Sequence, residues 1–139
     1  MKIAVCGSMA FAKEMVDVST NLKISGHVCF IPHDAIGHVM GKIKKDSSSE
    51  GIHKKIAKDL IRRHHKLIQK SDAILVLNYD KKGTKNYIGG NTFLEMGFAH
   101  VLHKPIYLLN PIPDMNYTDE IIAMQPIILD GTLLKIGRR

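Results

Sequence analysis

A single carboxylate, Glu95, lies in the largely apolar run NYIGGNTFLEMGFAH at positions 86–100. The spacing Thr92-Phe-Leu-Glu95 matches a capping box, in which the glutamate accepts a hydrogen bond from the backbone at the start of a helix. A carboxylate held in an apolar cleft after a glycine pair is also typical of a catalytic site. The residues alone favour neither interpretation, so Glu95 is both a candidate helix cap and a candidate catalytic group.

A glycine turn near the N-terminus is a candidate anion site. The segment CGSMAF begins at Cys6, directly after an apolar run, and contains Gly7 and Ser8. Free backbone N–H groups at such a turn, where a helix begins, suit a phosphate. The turn lacks the Gly-Lys-Ser/Thr of a P-loop and the GxGxxG dinucleotide fingerprint, so by itself it indicates a phosphate site only weakly.

A second polar segment, NYDKKGTKNYIGG at positions 78–90, follows another apolar run. It contains Asp80 and three lysines, and its Gly89 and Gly90 let the backbone approach a ligand closely. A flexible surface loop is the alternative interpretation. A third segment, NPIPDMN, begins at Asn110.

The apolar runs predict the strands that position these segments. They are short and continuous, as in strands covered on both faces. Helical periodicity separates them, at about 11–24, at about 51–70, after Asn91 and at 118–124. The predicted strands are KIAVC (2–6), HVCFI (27–31), AILVLN (73–78), PIYLLN (105–110) and, more weakly, PIIL (126–129).

This alternation predicts a three-layer α/β fold of the Rossmann-like, flavodoxin-like type, with a parallel sheet of about five strands. The length of 139 residues fits one domain, 1–139. Ligands of such sheets bind at the carboxyl ends of the strands, where the three polar segments lie. The helix at 51–70 is expected to turn one apolar stripe to the core, formed by Ile52, Ile56, Ala57, Leu60, Ile61, Leu67 and Ile68.

Composition indicates a soluble globular protein, with 45% apolar and 24% charged residues. No segment is predicted to span a membrane, and MKIAVCG at the N-terminus lacks the apolar stretch of a signal peptide. We therefore expect a cytoplasmic protein in which Cys6 and Cys29 are buried free thiols.

Positive charge is concentrated in one region, residues 42–70, which we call the basic segment. It holds ten Lys or Arg against three acidic residues, a surplus equal to the whole net charge of +7. The commoner explanation is the solvated face of a helix, and the alternative is a surface for nucleic acid. Within it, KKDSSSEG at 44–51 is predicted to be a loop.

Three stretches resemble the nucleoside 2-deoxyribosyltransferases and the related 2'-deoxynucleoside 5'-phosphate N-hydrolases. They are CGS, SDAILVLNYD and above all GGNTFLEMGFAHVLHKPIYLLN, in which Glu95, Gly97 and Ala99 form the most specific pattern. The resemblance covers most of the chain. It implies that Glu95 is the nucleophile that attacks the anomeric carbon of the sugar. It also implies that the CGS turn holds the 5'-phosphate of a nucleotide.

The sequence departs from the family pattern at three positions. Many members carry an aspartate eight residues ahead of the one that corresponds to Asp72, and this position is His64 here. Val5 replaces a frequent tyrosine, and Asn91 replaces a frequent glycine. His64 lies on the apolar stripe and is expected to face inward, either as a satisfied core histidine or as a group of the cleft. We take His64 and Asp72 as candidate catalytic residues that orient groups beside Glu95.

The resemblance also implies a homodimer or larger homo-oligomer. In the family a short C-terminal helix reaches the neighbouring subunit's site, and the matching stretch here is IIAMQP, with Met124 and Gln125. The pair His33-Asp34 is a weaker candidate for contacting a base.

No cofactor is expected, and no metal site either. His100 and His103 are three residues apart, but no carboxylate or cysteine is spaced with them as a further ligand.

Two classes of function remain open from the sequence. The first is cleavage or transfer of the N-glycosidic bond of a nucleotide or nucleoside through a glutamate nucleophile. The second is a catalytically inactive module on the same fold that binds a nucleotide or, through the basic segment, a nucleic acid. The candidate substrate-binding residues are Cys6, Gly7, Ser8, Asp80, Gly89, Gly90, Asn91, Asn110, Met124 and Gln125.

Overall fold

A computed structural model of the protein describes residues 1–32, 34–39, 56 and 59–137. Its five strands form one parallel sheet in the order β2-β1-β3-β4-β5. This order is the flavodoxin-like one, and it confirms the predicted α/β fold. The strands are β1 (Lys2–Gly7), β2 (Val28–Phe30), β3 (Ala73–Leu77), β4 (Ile106–Leu108) and β5 (Ile127–Ile128).

Helices cover both faces of the sheet. The first two, α1 and α2, pack on one face, and the other three pack on the opposite face. One-turn 3-10 helices lie at Met9–Phe11 and Leu133–Lys135. The α-helices are α1 (Ala12–Ile24), α2 (Ala35–Val39), α3 (Leu60–Gln69), α4 (Gly90–Val101) and α5 (Thr118–Ala123).

Side chains of β1 alternate between the two faces, as in any strand. Ile3 and Val5 pack with α1, whereas Ala4 and Cys6 belong to the core under α3 and α4. The alternation therefore turns Cys6, the last side chain of β1 before Gly7, toward the helix that carries Glu95. Both cysteines are free thiols, Cys6 buried and Cys29 half-buried.

The predicted helix at 51–70 is observed as α3 in its second half, and positions 51–55, 57 and 58 lie outside the described residues. The predicted apolar stripe is wrong in part. Ile68 is fully buried, but Ile61 is 46% exposed and Ile56 is 75% exposed. Of the stripe, Ile52 and Ala57 fall outside the described part of the chain, as does the loop predicted at 44–51.

The described ranges contain no helix with the length and apolar character needed to cross a bilayer.

Candidate active site

Glu95 lies in the second turn of α4 and is buried, with only 7% of its surface exposed. The helix begins at Gly90, preceded by Gly89, so Thr92 is its third residue and not its cap. The capping-box interpretation of Glu95 is therefore wrong, because the glycine pair starts the helix three residues earlier than the pattern requires. This leaves a buried carboxylate whose partner is a side chain.

That partner is His64 of α3. Its Nδ1 lies 3.2 Å from Glu95 Oε1, and its side chain is 23% exposed. When Glu95 is ionised it can only accept, so the Nδ1–H group of His64 donates a hydrogen bond to the carboxylate. The helical spacing that turned His64 inward on α3 thus brings it to the one buried carboxylate of α4. The inward histidine is a neighbour of Glu95 and not an isolated core residue.

Both side chains line a cleft of about 740 Å³ at the carboxyl end of β1 and β3. The strand order places the switch point of the sheet between these two strands, where ligands of flavodoxin-like folds bind. The volume is within the range of small-molecule sites. The described lining residues are Gly7, Ser8, Met9, Pro32, Asp34, Leu60, Ile61, His64, Lys81, Tyr87, Gly89, Gly90, Asn91, Thr92, Leu94, Glu95 and Phe98.

A polar end of the cleft is built around Ser8. Its Oγ accepts a hydrogen bond from the backbone N–H of Ala10 at 3.2 Å and caps the 3-10 turn that leads into α1. Lys81 Nζ donates to the same Oγ at 2.8 Å. An ammonium group beside a glycine-serine turn gives this end of the cleft positive character.

Close packing explains the glycine at position 7. A Cβ there would lie 3.1 Å from the carbonyl oxygen of Leu77 and 3.2 Å from Met15 Cε. Because β1 and β3 are neighbours in the sheet, a side chain at Gly7 would push the two strand ends apart. The glycine thus keeps the Ser8 turn next to the loop that follows β3.

That loop, residues 78–89, is folded back on itself. Lys82 and Gly83 both have positive φ, and Lys81 and Thr84 exchange backbone hydrogen bonds of 3.0 and 2.9 Å across the turn. The Asp80 carboxylate accepts the backbone N–H of Asn86 at 2.9 Å. Asp80 therefore shapes the loop and is not among the described residues that line the cleft, in contrast to its prediction as a substrate-binding residue.

Tyr87 closes the same loop over the glycine pair. A Cβ at Gly89 would lie 3.1 Å from the Tyr87 hydroxyl oxygen, so the ring rests directly on this glycine. Lys81 Nζ lies 5.0 Å from the centroid of the same ring, within cation–π distance. The tyrosine thereby helps to hold the lysine at the polar end of the cleft.

Asp72 is not part of this site. It precedes β3, its Oδ2 accepts the backbone N–H of Lys2 at 2.7 Å, and its own N–H donates to the carbonyl oxygen of Lys2 at 2.7 Å. These bonds join the amino ends of β1 and β3. The five residues of β3 separate this edge from the cleft by about 15 Å. The structure therefore places Asp72 away from the described cleft, and its catalytic role stays a prediction without support from this placement.

Asn110 has a structural role and is not among the described residues that line the cleft, so its predicted substrate contact stays a prediction. Its backbone N–H donates to Asn78 Oδ1 at 2.9 Å, and its side-chain amide donates to the Asn78 carbonyl oxygen at 3.1 Å. Asn78 Nδ2 in turn donates to the carbonyl oxygens of Asn110 and Pro111 at 3.0 and 3.1 Å. These bonds clasp together the chain segments that leave β3 and β4.

Met124 and Gln125 follow α5 and do not line the cleft of their own chain in its described part. Met124 packs against the core under α3 and α4, whereas Gln125 is exposed and has a φ of 54°. Their predicted contact with a neighbouring subunit's site stays a prediction. His33, predicted to contact a base, lies outside the described residues, and its neighbour Asp34 is on the cleft wall.

The structure thus gathers eight predicted residues on the cleft and leaves Cys6 just behind it. The eight are Gly7, Ser8, Asp34, His64, Gly89, Gly90, Asn91 and Glu95. Lys81 was recognised in the sequence only as local positive charge, although its place before a Lys-Gly turn was a usable signal. Sequence reasoning missed the apolar wall because its residues carry no polar signal: Met9, Pro32, Leu60, Ile61, Leu94 and Phe98.

Among the described residues, no group of three or more His, Cys, Asp or Glu side chains could hold a metal ion.

Comparison with known proteins adds one finding on the fold. No protein-family profile matches the sequence, and no curated protein sequence matches it. The solved structures include a similar one, the CMP N-glycosidase BcmB of Clostridium botulinum, with a TM-score of 0.52 and 13% identity. The match covers 92% of this chain and 88% of that chain. At this identity the likeness establishes a shared fold.

Proposed function

We propose that the protein cleaves the N-glycosidic bond of a nucleoside 5'-monophosphate, with Glu95 as the nucleophile. The observation that carries this proposal is the pair of buried Glu95 and half-buried His64, 3.2 Å apart, on the wall of a cleft of about 740 Å³. The family resemblance of the sequence and the fold shared with a CMP N-glycosidase support it.

Glu95 suits attack on a glycosidic carbon. Breaking the bond between C1' and the base nitrogen builds positive charge on the sugar, which a carboxylate stabilises or bonds to. In the first step a Glu95 oxygen bonds to C1', the C1'–N bond breaks, and its electron pair leaves with the base. Glu95 is held by a hydrogen bond to His64, so the carboxylate is already oriented when a substrate enters.

His64 supplies the proton that this chemistry needs. The imidazolium gives a proton to the departing base in the first step and returns to the neutral form. In the second step water attacks C1', the ester bond to Glu95 breaks, and His64 takes the proton that the water loses. The sum is nucleotide plus water giving free base and sugar phosphate. If a second base attacks C1' in place of water, the same site transfers the sugar.

The polar end of the cleft supports a nucleotide over a nucleoside. The backbone at Gly7 and Ser8 and the Lys81 ammonium, 2.8 Å from Ser8 Oγ, converge there. A 5'-phosphate would meet hydrogen-bond donors and a positive charge at this position. The apolar wall, with Phe98 and Leu94, is then available to the base.

The decisive experiment incubates the protein with a panel of ribo- and deoxyribonucleoside monophosphates and follows free base and sugar phosphate by chromatography. We expect one or a few nucleotides to be cleaved, and the matching nucleosides to be cleaved much more slowly. Addition of a different free base then separates hydrolysis from transfer, because only transfer yields a new nucleotide.

Nucleotide binding without any released base would contradict the proposal and support the inactive binding module. The nucleic-acid version of that alternative depends on the basic segment, most of which lies outside the described residues. It requires binding to DNA or RNA that weakens steeply as salt is added.

We further propose that the active form is a homodimer or a larger homo-oligomer. Ile122 and Ile127, on either side of Gln125, are large apolar side chains that are 53% and 45% exposed in the single chain. Burying them against a second copy would favour association.

Subunit mixing tests this assembly. Glu95→Gln and Gln125→Ala chains, each inactive alone, should regain activity when mixed, because a hybrid dimer contains one site free of both substitutions. A monomer at micromolar concentration, or no recovery between chains that do exchange, would contradict the shared site.

A further inference from the structure

Cys6 stands out as a buried nucleophilic side chain that the proposed chemistry leaves unused. It is the last side chain of β1 before the Gly7 turn, 2% exposed, on the face of the sheet that α4 covers. A second, very small cavity of about 10 Å³ lies beneath the cleft. Cys6, His64 and Glu95 all contribute to its lining. The thiol and the carboxylate therefore share one confined space.

This space is at the lower limit of what a single water molecule needs. Glu95 also borders the large cleft, but with 7% of its surface exposed its carboxylate is solvated mainly by protein groups, and every hydrogen-bond donor nearby matters. His64 supplies one donor, to Oε1. Cys6 carries the other donor that the strand brings to the same small cavity.

Two acceptors of different strength are candidates for the thiol, one in its own strand and one across the small cavity. One is the carbonyl oxygen of Ala4, 3.8 Å from Cys6 Sγ, a long contact even for sulfur. The other is the Glu95 carboxylate, whose charge makes it the better acceptor. Burial raises the pKa of the Cys6 thiol well above its usual value, and the nearby charge of Glu95 raises it further. The sulfur thus keeps its proton and remains a donor at neutral pH.

We propose that Cys6 is a positioning residue whose thiol donates a hydrogen bond to the Glu95 carboxylate from the sheet side, while His64 holds the same carboxylate from α3. The inference rests on the proposed role of Glu95 as a nucleophile. It assigns to Cys6 an action through Glu95 and no contact with substrate. A plain packing role is the alternative, since buried cysteines commonly behave as small apolar side chains.

An infrared measurement tests the contact without any enzyme assay. The chain has two cysteines, so Cys29→Ala leaves Cys6 as the single thiol with an S–H stretching band. In this background Glu95→Gln replaces a charged acceptor by a neutral one, and the band should move to higher frequency. The matched control, Glu120→Gln at an exposed position of α5, should leave the frequency of the band unchanged. If the S–H band has the same frequency with and without Glu95→Gln, the inference is overturned.

Kinetics test the consequence for catalysis. Cys6→Ala should lower kcat roughly tenfold with little change in KM, because a weak donor to a charged group is lost. Cys6→Ser keeps a donor and should retain more activity than Cys6→Ala, whereas a packing role predicts the opposite order in an apolar core. Cys29→Ala should match the wild type.

The two tests separate this inference from the proposed function. If the wild-type protein cleaves no nucleotide, the proposed function is contradicted. The S–H band then still shows whether the Cys6 thiol donates a hydrogen bond to Glu95. An active wild type with equal losses in Cys6→Ala and Cys6→Ser, or with no loss, keeps the function and overturns the role of Cys6.

Discussion

The two edges of the sheet each carry an acidic residue that the sequence made a catalytic candidate, and the structure treats them differently. At the amino edge, Asp72 is exposed and accepts the backbone N–H of Lys2. At the carboxyl edge, Glu95 is buried and faces the ring of His64 across 3.2 Å. The Asp72 carboxylate links two strands at the exposed surface. The Glu95 carboxylate is buried beside the cleft, next to a titratable histidine.

The difference shows what distinguishes a structural carboxylate from a candidate catalytic one. A backbone N–H cannot give up its proton, so its bond to Asp72 only holds the chain. An imidazole can hold or release a proton near neutral pH, so its bond to Glu95 can change during a reaction. The partner and the surroundings of an acidic residue decide its chemistry more than its distance from a motif along the sequence.

The largest expected effect is at Glu95. Glu95→Gln keeps the shape of the side chain but removes the charge, and kcat/KM for nucleotide cleavage should fall by about 10⁴-fold or more. Product formation under single-turnover conditions measures the loss, with circular dichroism to check folding. The exposed Glu120→Gln is the control. Near-normal activity in Glu95→Gln would end the role of Glu95 as nucleophile.

His64 comes second. His64→Asn removes the proton carrier and should lower kcat about 10²-fold or more, as is typical of a lost general acid or base. His64→Asp should recover part of the activity with an optimum at lower pH, because carboxylic acids lose their proton at lower pH than imidazolium ions.

The neighbouring His65 is a close control for His64. It stacks edge-on against Phe98 at 5.0 Å between ring centroids, so His65→Asn changes packing on the same helix without touching the pair with Glu95. Equal losses in the two asparagine variants would show that α3 packing, and not proton transfer, explains the effect.

Lys81 should affect binding more than chemistry. Lys81→Met should raise KM for a nucleoside monophosphate by about ten- to a hundredfold, the range for losing a charged hydrogen bond, with a small change in kcat. Lys85→Met, on the exposed part of the same loop, should bind the nucleotide normally. An unchanged KM in Lys81→Met would contradict a phosphate site at the Ser8 end of the cleft.

The smallest effect is expected at Asp72. Asp72→Ala should lower the free energy of unfolding by about 1 kcal/mol, through the bond to the Lys2 backbone, and leave kcat/KM unchanged. Urea denaturation measures the first and the nucleotide assay the second. A loss of activity in a stable Asp72→Ala protein would show that Asp72 contributes to catalysis and would contradict its purely structural role.

The sequence predicted the fold well because each strand is a continuous apolar run and each helix has a clear period. It predicted the glycines of the cleft because parallel strands bring their carboxyl ends together. The candidate Asp72 came from the family pattern, although the strand predicted at 73–78 already put this residue at the amino end, away from the edge where ligands bind. The observed bounds of β3 agree with that position.

The wall of the cleft could not be predicted in the same way. Leu60 and Ile61 fit the apolar stripe of a helix, and an apolar residue that faces a ligand has the same pattern as one that faces the core. The capping box failed for a related reason. Thr92 and Glu95 have the correct spacing, but the position of the first helical residue depends on the backbone of Gly89 and Gly90.

The clasp between Asn78 and Asn110 makes the cleft sensitive to a distant part of the chain. Asn78 begins the loop that presents Lys81, and Asn110 begins the segment that leads to α5. The Tyr117 hydroxyl adds a bond to the carbonyl oxygen of Ile88 at the far end of the same loop. The loop and the segment are thus mechanically linked at two points. A displacement of α5, for example by a neighbouring copy, would be transmitted to the loop that carries Lys81 through these bonds, whose residues lie outside the described cleft lining.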